Sequence, residues 1–369
     1  MGFPRAKRWL YDSGCRMPMI AHLPERFRPA GQAEPNTVEE RMISFLDLGP
    51  TVLNLAGLPV PEHMHGQPFL GPDLPPPRQF IFAARDRMDE RYDTIRSVRD
   101  SRFRYVRNFE PFRPYYQRVE YGEVTGMMQD LRRLHAEGKL PPVADQYLAD
   151  HKPLEELYDT DADPHEVHNL ADSPAHEPEL LRLRQMLRDW MVETEDVALI
   201  PEAEVVELEK RYGNRHAILR APENRDLQQR LFFVVEAGEA GRLPQLREAL
   251  SAPEPSVRYW AALWIGLQKA GAAVNELLPL LADASAVVRV AAATALCRIG
   301  RATEGLPVLT ALLTHENEYV RLRAATELDY LEDLALPALD AFRQIAGNDP
   351  SGDMQKLARR VIAELEPLR

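Results

Sequence analysis

The sequence predicts an α/β region that closes with a small antiparallel sheet, followed by an all-α solenoid. Three observations carry that expectation: an apolar pattern repeated at a fixed interval in the last third, strand-like runs joined by a hairpin turn in the middle, and a helix framed by prolines near the start. At 369 residues the chain exceeds one ordinary core, since domains run to about 150 residues each. The expected domains are residues 1–77, 78–205 and 206–369.

The chain opens on "MGFPRAKRWLYDSGCRMPMI", where Arg5, Lys7 and Arg8 stand beside an aromatic pair and an Asp-Ser-Gly turn. "RMISFLDLGPTVLNLAGLPVP" places apolar residues at helical spacing and stops on Leu-Pro-Val-Pro, a helix followed by a break. After the Pro-rich link "GPDLPPPRQ", the runs "FIFAAR", "DTIRSVRD" and "FRYVRNF" read as strands, with a hairpin turn at "RDSR". "LEELYDTDADPHEVHNLADSP" reads as a last strand and an Asp/Pro turn, leading to the amphipathic helix "AHEPELLRLRQMLRDWMVETED".

From there the pattern changes. "PSVRYWAALWIG", "AVVRVAAATALCRIG" and "EYVRLRAATELDYL" superpose on Val-Arg-x-x-Ala-Ala, with the arginines at 258, 289 and 321, intervals of 31 and 32 residues. Each unit runs on into a second apolar segment, "VNELLPLLAD", "EGLPVLTALLTH" or "LALPALDAFRQIAG". One helix pair cannot bury its apolar face alone, and stacked pairs make a continuous core. The pattern resembles HEAT repeats. "LQQRLFFVVEAGEAGRLPQLREAL" reads as a degenerate first unit and "MQKLARRVIAEL" as a capping helix. The repeat arginines read as bonds to the preceding inter-repeat turn rather than as an anion-binding ladder.

Composition removes several classes. A net charge of -12 and a pI near 5.4 argue against nucleic acid as partner, because phosphate neutralisation needs a cationic face. The interleaved "RFRYVRNFEPFRPYYQR" then reads as a half-buried sheet face rather than a single-strand platform. No run approaches the roughly 18 apolar residues of a membrane span. Asp12, Arg16 and Pro18 interrupt a signal peptide, and Ala6 stands where a myristoylation motif needs Ser or Thr. The compartment stays open. Two cysteines, Cys15 and Cys297, lie far apart and make no disulfide framework.

In their order, "FPRAKRWLYDSGCRMPMI", "SFLDLGPTVLNLAGLPVP", "GQPFL", "IRSVRDSRFRYVRNF" and "ELYDTDADPHEVHNLADSP" resemble the C-terminal part of a sulfatase of the alkaline-phosphatase-like superfamily, nearest the heparan N-sulfatase or sulfamidase branch. The resemblance covers roughly residues 1–205. It implies sulfuric-ester or sulfamate hydrolysis of sulfated glycans or small sulfate esters, with a formylglycine made from Cys/Ser-x-Pro-x-Arg and with calcium as cofactor. No such motif occurs: Cys15 is followed by Arg-Met-Pro-Met and Ser251 by Ala-Pro-Glu-Pro. The calcium-ligand positions that the resemblance implies fall ahead of Met1. The expectation is therefore a partial sulfatase fold, inactive alone, with Met1 an internal methionine or a misplaced start.

One substrate contact is implied within the chain. Lys7, by its place before Leu-Tyr-Asp-Ser-Gly, matches the cation that touches the substrate sulfate in such enzymes, where a charge-assisted donor offsets developing charge. Arg85, Arg87 and Arg91, in "ARDRMDERYD", read either as arginines matched to a polyanionic glycan or as a surface loop neutralised by Asp86, Asp89, Glu90 and Asp93. His63 and His65, two apart in a Pro-flanked loop, lack an evident third metal ligand. His165 and His168, with Asp163 and Asn169, read as fastening the Asp/Pro turn. The reading from another class is a HEAT-repeat protein-binding module on a sulfatase-derived scaffold, with a protein partner for the solenoid.

Overall fold

The computed structural model describes residues 4–28, 30, 32 and 34–368. They form two compact units. The first comprises Met1–Arg85, Ile95–Asn108 and Pro153–Arg188; the second comprises Asp86–Thr94, Phe109–Lys152 and Asp189–Arg369.

The sheet has four strands, β1 (Ile81–Met88), β2 (Arg91–Arg99), β3 (Phe103–Asn108) and β4 (Glu155–Asp159), ordered β1-β2-β3-β4. β3 pairs antiparallel with β2, Val98 facing Tyr105, and with β4, Tyr105 facing Leu157. The "RDSR" turn closes because the Asp100 carboxylate accepts the N–H groups of Arg102 and Phe103 at 2.8 and 2.6 Å. Such side-chain capture is why Asp favours turns. One expectation changes here. "ARDRMDERYD", read as a loop after a strand, is the end of β1, a turn with Asp89 at φ 50°, and the start of β2.

In the first unit two sequence motifs are clamped together by one carboxylate. Asp47, 2% exposed, accepts the Ser44 N–H at 2.7 Å, the Gln67 N–H at 2.8 Å and Arg78 Nη2 at 2.6 Å. Thr51, in the helix Leu48–Leu55, accepts the Phe69 N–H at 3.1 Å, and Asn54 donates to the carbonyls of Leu70 and Pro72. Gly66 is required: a Cβ there would lie 2.0 Å from the Leu46 carbonyl oxygen. "SFLDLGPT" and "GQPFL" are thus one structural device. Asp47→Ala strands three donors and is expected to cost about 2–3 kcal/mol, read as an earlier chemical-denaturation transition.

The second unit carries the solenoid. The helices Pro255–Leu267, Ala286–Arg298 and Glu318–Asp329 hold the repeated motif, and Gly352–Leu365 follows them. The paired alanines 261–262, 292–293 and 324–325 are all fully buried. Their small size lets helices approach, as at Gly266, where a Cβ would meet Ala295 Cα at 2.5 Å. The partner helices are less regular than their spacing predicts. Pro279 limits the first to Val274–Leu277, continued as a 3-10 turn over Leu278–Ala282, because proline lacks the N–H that an α-helix interior needs.

The repeat arginines bond to the turn ahead of them. Arg258 donates to the carbonyls of Ala252 and Pro253, Arg289 to those of Asp283 and Ala284, and Arg321 to those of His315 and Glu316. Arg258 and Arg321 also grip Asp283 and Asp349 with two bonds each, at 2.8 to 3.0 Å.

Candidate functional site

The Lys7 loop is held by its own neighbours. Arg5 and Arg8 adopt left-handed φ values of 56° and 75°, an uncommon conformation for residues with a Cβ. Gly14 backs the loop so closely that a Cβ would fall 2.1 Å from the Ala6 carbonyl oxygen. The Arg5 guanidinium stacks 3.7 Å from the Tyr11 ring centroid, and its Nη2 donates to the Glu166 carbonyl at 2.6 Å. Lys7 itself is exposed.

An ionic knot ties this loop to the sheet. Glu166, at the tip of "DPHEVHNL", has φ 53° and is 1% exposed. Its carboxylate accepts the Asp12 N–H and Arg104 Nε, each at 2.6 Å. Arg104 also pairs with the Asp12 carboxylate, which Arg99 reaches at 3.3 Å. Burial pushes the Glu166 carboxyl above its ordinary value, against the pull of the Arg104 charge. Beside the knot, Glu156 accepts the hydroxyls of Tyr11 and Tyr158 and the Asn108 amide at 2.6 to 2.7 Å.

The Asp/Pro turn is fastened by two of the residues singled out in the sequence. The Asp163 carboxylate accepts the N–H groups of Val167 and His168 at 2.8 Å. Asn169 accepts the Leu157 N–H and donates to the Glu155 carbonyl. His165 and His168 are exposed.

The four cations named from the sequence divide between the two units. Lys7 and Arg85 are in the first, Arg87 and Arg91 in the second. Arg85 is 6% exposed, and its guanidinium lies 4.3 Å from the Trp9 ring centroid. Among the described residues, its Nε and Nη1 are sealed from solvent without a hydrogen-bond partner. Arg87 Nε donates to both Glu202 oxygens at 2.8 Å, and the group lies between Tyr92 and Tyr319. Arg91 is buried, with Nη2 2.5 Å from the Asp329 carboxylate and Nε donating to the Arg118 carbonyl. The nearby acids have partners of their own: Asp93 takes Lys152 at 2.9 Å and Glu90 takes the Glu120 N–H at 2.6 Å.

His63 and His65 are exposed. Among the described residues, no three His, Cys, Asp or Glu side chains converge to hold a metal. Calcium needs six to eight oxygen ligands. The buried carboxylates of the first unit, Asp12, Asp47, Glu156, Asp159 and Glu166, are taken up by arginines, tyrosines and backbone N–H groups instead. The residues present do not fit that ion.

Sequence reasoning missed Asp12, Arg99, Arg104 and Glu166 as a unit. The signal was there in outline, as charged residues set inside three motifs that kept a fixed order, but their meeting depends on the register of β2, β3 and β4.

Comparison with known proteins agrees with this arrangement. Residues 4–72 match the family described as N-sulphoglucosamine sulphohydrolase, C-terminal, and residues 243–329 and 274–363 match HEAT repeats. An ulvan-active sulfatase of Formosa agariphila is 43% identical over 203 residues, 55% of this chain and 33% of that protein. A second ulvan-active sulfatase of the same organism is 26% identical over 50% of this chain and 35% of its own length. Human N-sulphoglucosamine sulphohydrolase is 29% identical over 53% of this chain and 40% of its own. The chain therefore combines a segment similar to the C-terminal part of sulfatases with a segment that matches HEAT repeats. Within the sulfatases, that part matches the N-sulphoglucosamine sulphohydrolase, or sulfamidase-like, type. The chain spans about a third of the length of the curated relatives it matches. Among the described residues, no helix is long and apolar enough to cross a membrane.

Proposed function

We propose that the first unit serves sulfatase chemistry, the hydrolysis of a sulfate ester or sulfamate on a sulfated glycan, and that Lys7 contacts the sulfate. The observation that carries this reading is the knot of Glu166, Arg104 and Asp12, which fastens the Lys7 loop to the other sulfatase-like motifs. A loop held in that way presents a cation with little reorganisation, and fixed donors are most effective where charge develops on leaving oxygens.

Arg85 is the second contact. Its buried N–H groups lack partners among the described residues, and a sulfate or carboxylate oxygen would satisfy them. Arg87 and Arg91, expected with Arg85 as substrate contacts, commit their guanidinium groups to Glu202 and Asp329, so the proposal rests on Lys7 and Arg85.

The chain contains no Cys/Ser-x-Pro-x-Arg motif, and by itself it is expected to turn over no sulfate ester. Measurable hydrolysis of a chromogenic sulfate ester by the purified chain, abolished in Lys7→Ala, would overturn that. Binding is a separate expectation. In calorimetric titration with a sulfated glucosamine oligosaccharide, Lys7→Ala should weaken affinity about tenfold or more, since a hydrogen bond to a charged group is worth about 1.5–3 kcal/mol. Unchanged affinity would remove Lys7 from the site.

A second reading is that the chain works as a protein-binding module. The observation favouring it is a HEAT solenoid beside a sulfatase-like unit without a nucleophile motif. Retention of a defined partner by the chain, unaffected by Lys7→Ala, would support this reading over the first.

A further inference from the structure

One buried cluster in the second unit holds more guanidinium groups than carboxylates. Arg113 pairs with Glu110 at 3.0 Å and also with Glu327. Arg323 reaches Glu110 at 3.1 Å and Glu327 at 3.0 Å, and Arg298 reaches Glu327 at 3.5 Å. Three guanidinium groups thus share two carboxylates. Arg113, Glu110 and Glu327 are each 1% exposed, Arg323 11% and Arg298 15%. Of the adjoining groups, Arg87 pairs with Glu202 and Lys152 with Asp93, whereas Asp329 is shared by Arg91 and Arg360, and Glu364 by Arg360 and Arg118. Among the described residues, the cluster of Arg113, Arg323, Arg298, Glu110 and Glu327 itself keeps one positive charge in excess, where an unpaired buried ion costs several kcal/mol.

Beside this cluster lies a recess of about 30 Å³, lined by Arg323, Glu110, Thr94, Tyr259, Tyr319 and the Arg87–Glu202 pair, with apolar residues between them. A water needs at least about 10–15 Å³ of such space, so a small guest fits. Thr94, 1% exposed, lines the recess, and its Oγ1 is buried without a hydrogen-bond partner among the described residues. Both carboxylates at the wall are already engaged by arginines. What the recess offers a guest is an unused hydroxyl donor beside an excess of positive charge.

We propose that this recess binds a small monovalent anion of the halide class, held by the Thr94 hydroxyl and the field of Arg323, and that the anion neutralises the three-arginine, two-glutamate core. Arg298 supports the charge count, since burial and the charges of Arg113 and Arg323 hold its guanidinium below the ordinary value despite Glu327.

The test uses the full chain. Crystals soaked in bromide should show an anomalous peak in the recess next to Thr94 Oγ1. In parallel, the melting temperature of the second unit should rise saturably with sodium chloride, by about 4 °C or more over sodium gluconate at equal ionic strength. Thr94→Val should reduce that chloride-specific rise and Thr94→Ser should keep it. An ordered water in the recess without bromide, together with equal melting in chloride and gluconate, would overturn the proposal. The bromide experiment on the unmodified chain decides the matter even if Thr94→Val fails to fold.

Discussion

Glu327→Gln is expected to destabilise the second unit by about 3–5 kcal/mol, the cost of breaking a buried ion pair by removing one partner. Glu327 is the hub of the buried cluster, in contact with Arg113, Arg323 and Arg298. Burial alone would raise its carboxyl, but the three guanidinium groups hold it down at about 2, against an ordinary 4.5. A group depressed in the folded state contributes stability that is present above the unfolded value and lost as pH falls through the folded one. The window is therefore pH 4.5 down to about 2, with a contribution on the order of 3 kcal/mol. Asp329 moves in the same direction: Arg91 and Arg360 depress its carboxyl against burial. Urea unfolding of the full chain, followed by Trp190, Trp260 and Trp264 in a Trp9→Phe background, reports on this unit. The unmodified chain should lose stability steeply across that window. Glu327→Gln should begin weaker at neutral pH and fall less steeply in acid. Equal slopes in the two proteins would mean that Glu327 is not the titrating hub.

The sequence reveals repeating contacts well and unique ones poorly. Val-Arg-x-x-Ala-Ala recurs, so the buried alanines and the turn-bonding arginines could be read from one unit to the next. The three-arginine core could not, because Arg113 and Glu110 come from a segment with no repeat and meet Glu327 and Arg323, respectively, across more than 200 residues of chain. The helix Leu48–Leu55 shows a different limit. Its apolar spacing signals a face but not what covers that face: Val52 is 65% exposed, while Pro50 and Thr51 are buried. At the candidate site, family likeness pointed to Lys7 without saying what holds its loop. Arg85, Arg87 and Arg91 lie close in sequence, yet Arg87 and Arg91 are paired with Glu202 and Asp329, while Arg85 has two N–H positions, Nε and Nη1, without a hydrogen-bond partner among the described residues. Strand register and neighbours, which composition does not encode, make that difference.

Arg104→Met tests the support of the Lys7 loop and is expected to cost the first unit about 3–5 kcal/mol. The substitution keeps much of the side-chain volume but leaves the Glu166 carboxylate buried with, among the described residues, only the Asp12 N–H as donor. Asp12 would still have Arg99, so the penalty should fall mainly on Glu166. The titration of Glu166 points the same way. Its folded value is raised, so its contribution is present at low pH and lost as pH rises through that value. Without Arg104 the raising effect of burial is less opposed and the loss at neutral pH grows. Glu166→Gln in the Arg104→Met background removes the stranded charge while keeping an acceptor for the Asp12 N–H. It should recover most of the stability, whereas Asp12→Asn in the same background should recover little. Amide exchange of residues 4–14 provides the local readout: protection should fall in Arg104→Met and return in the double variant with Glu166→Gln. If Asp12→Asn rescued as well as Glu166→Gln, the knot would be centred on Asp12. If neither variant altered exchange in residues 4–14, the Lys7 loop would owe its shape to Gly14 and the Arg5–Tyr11 stack instead.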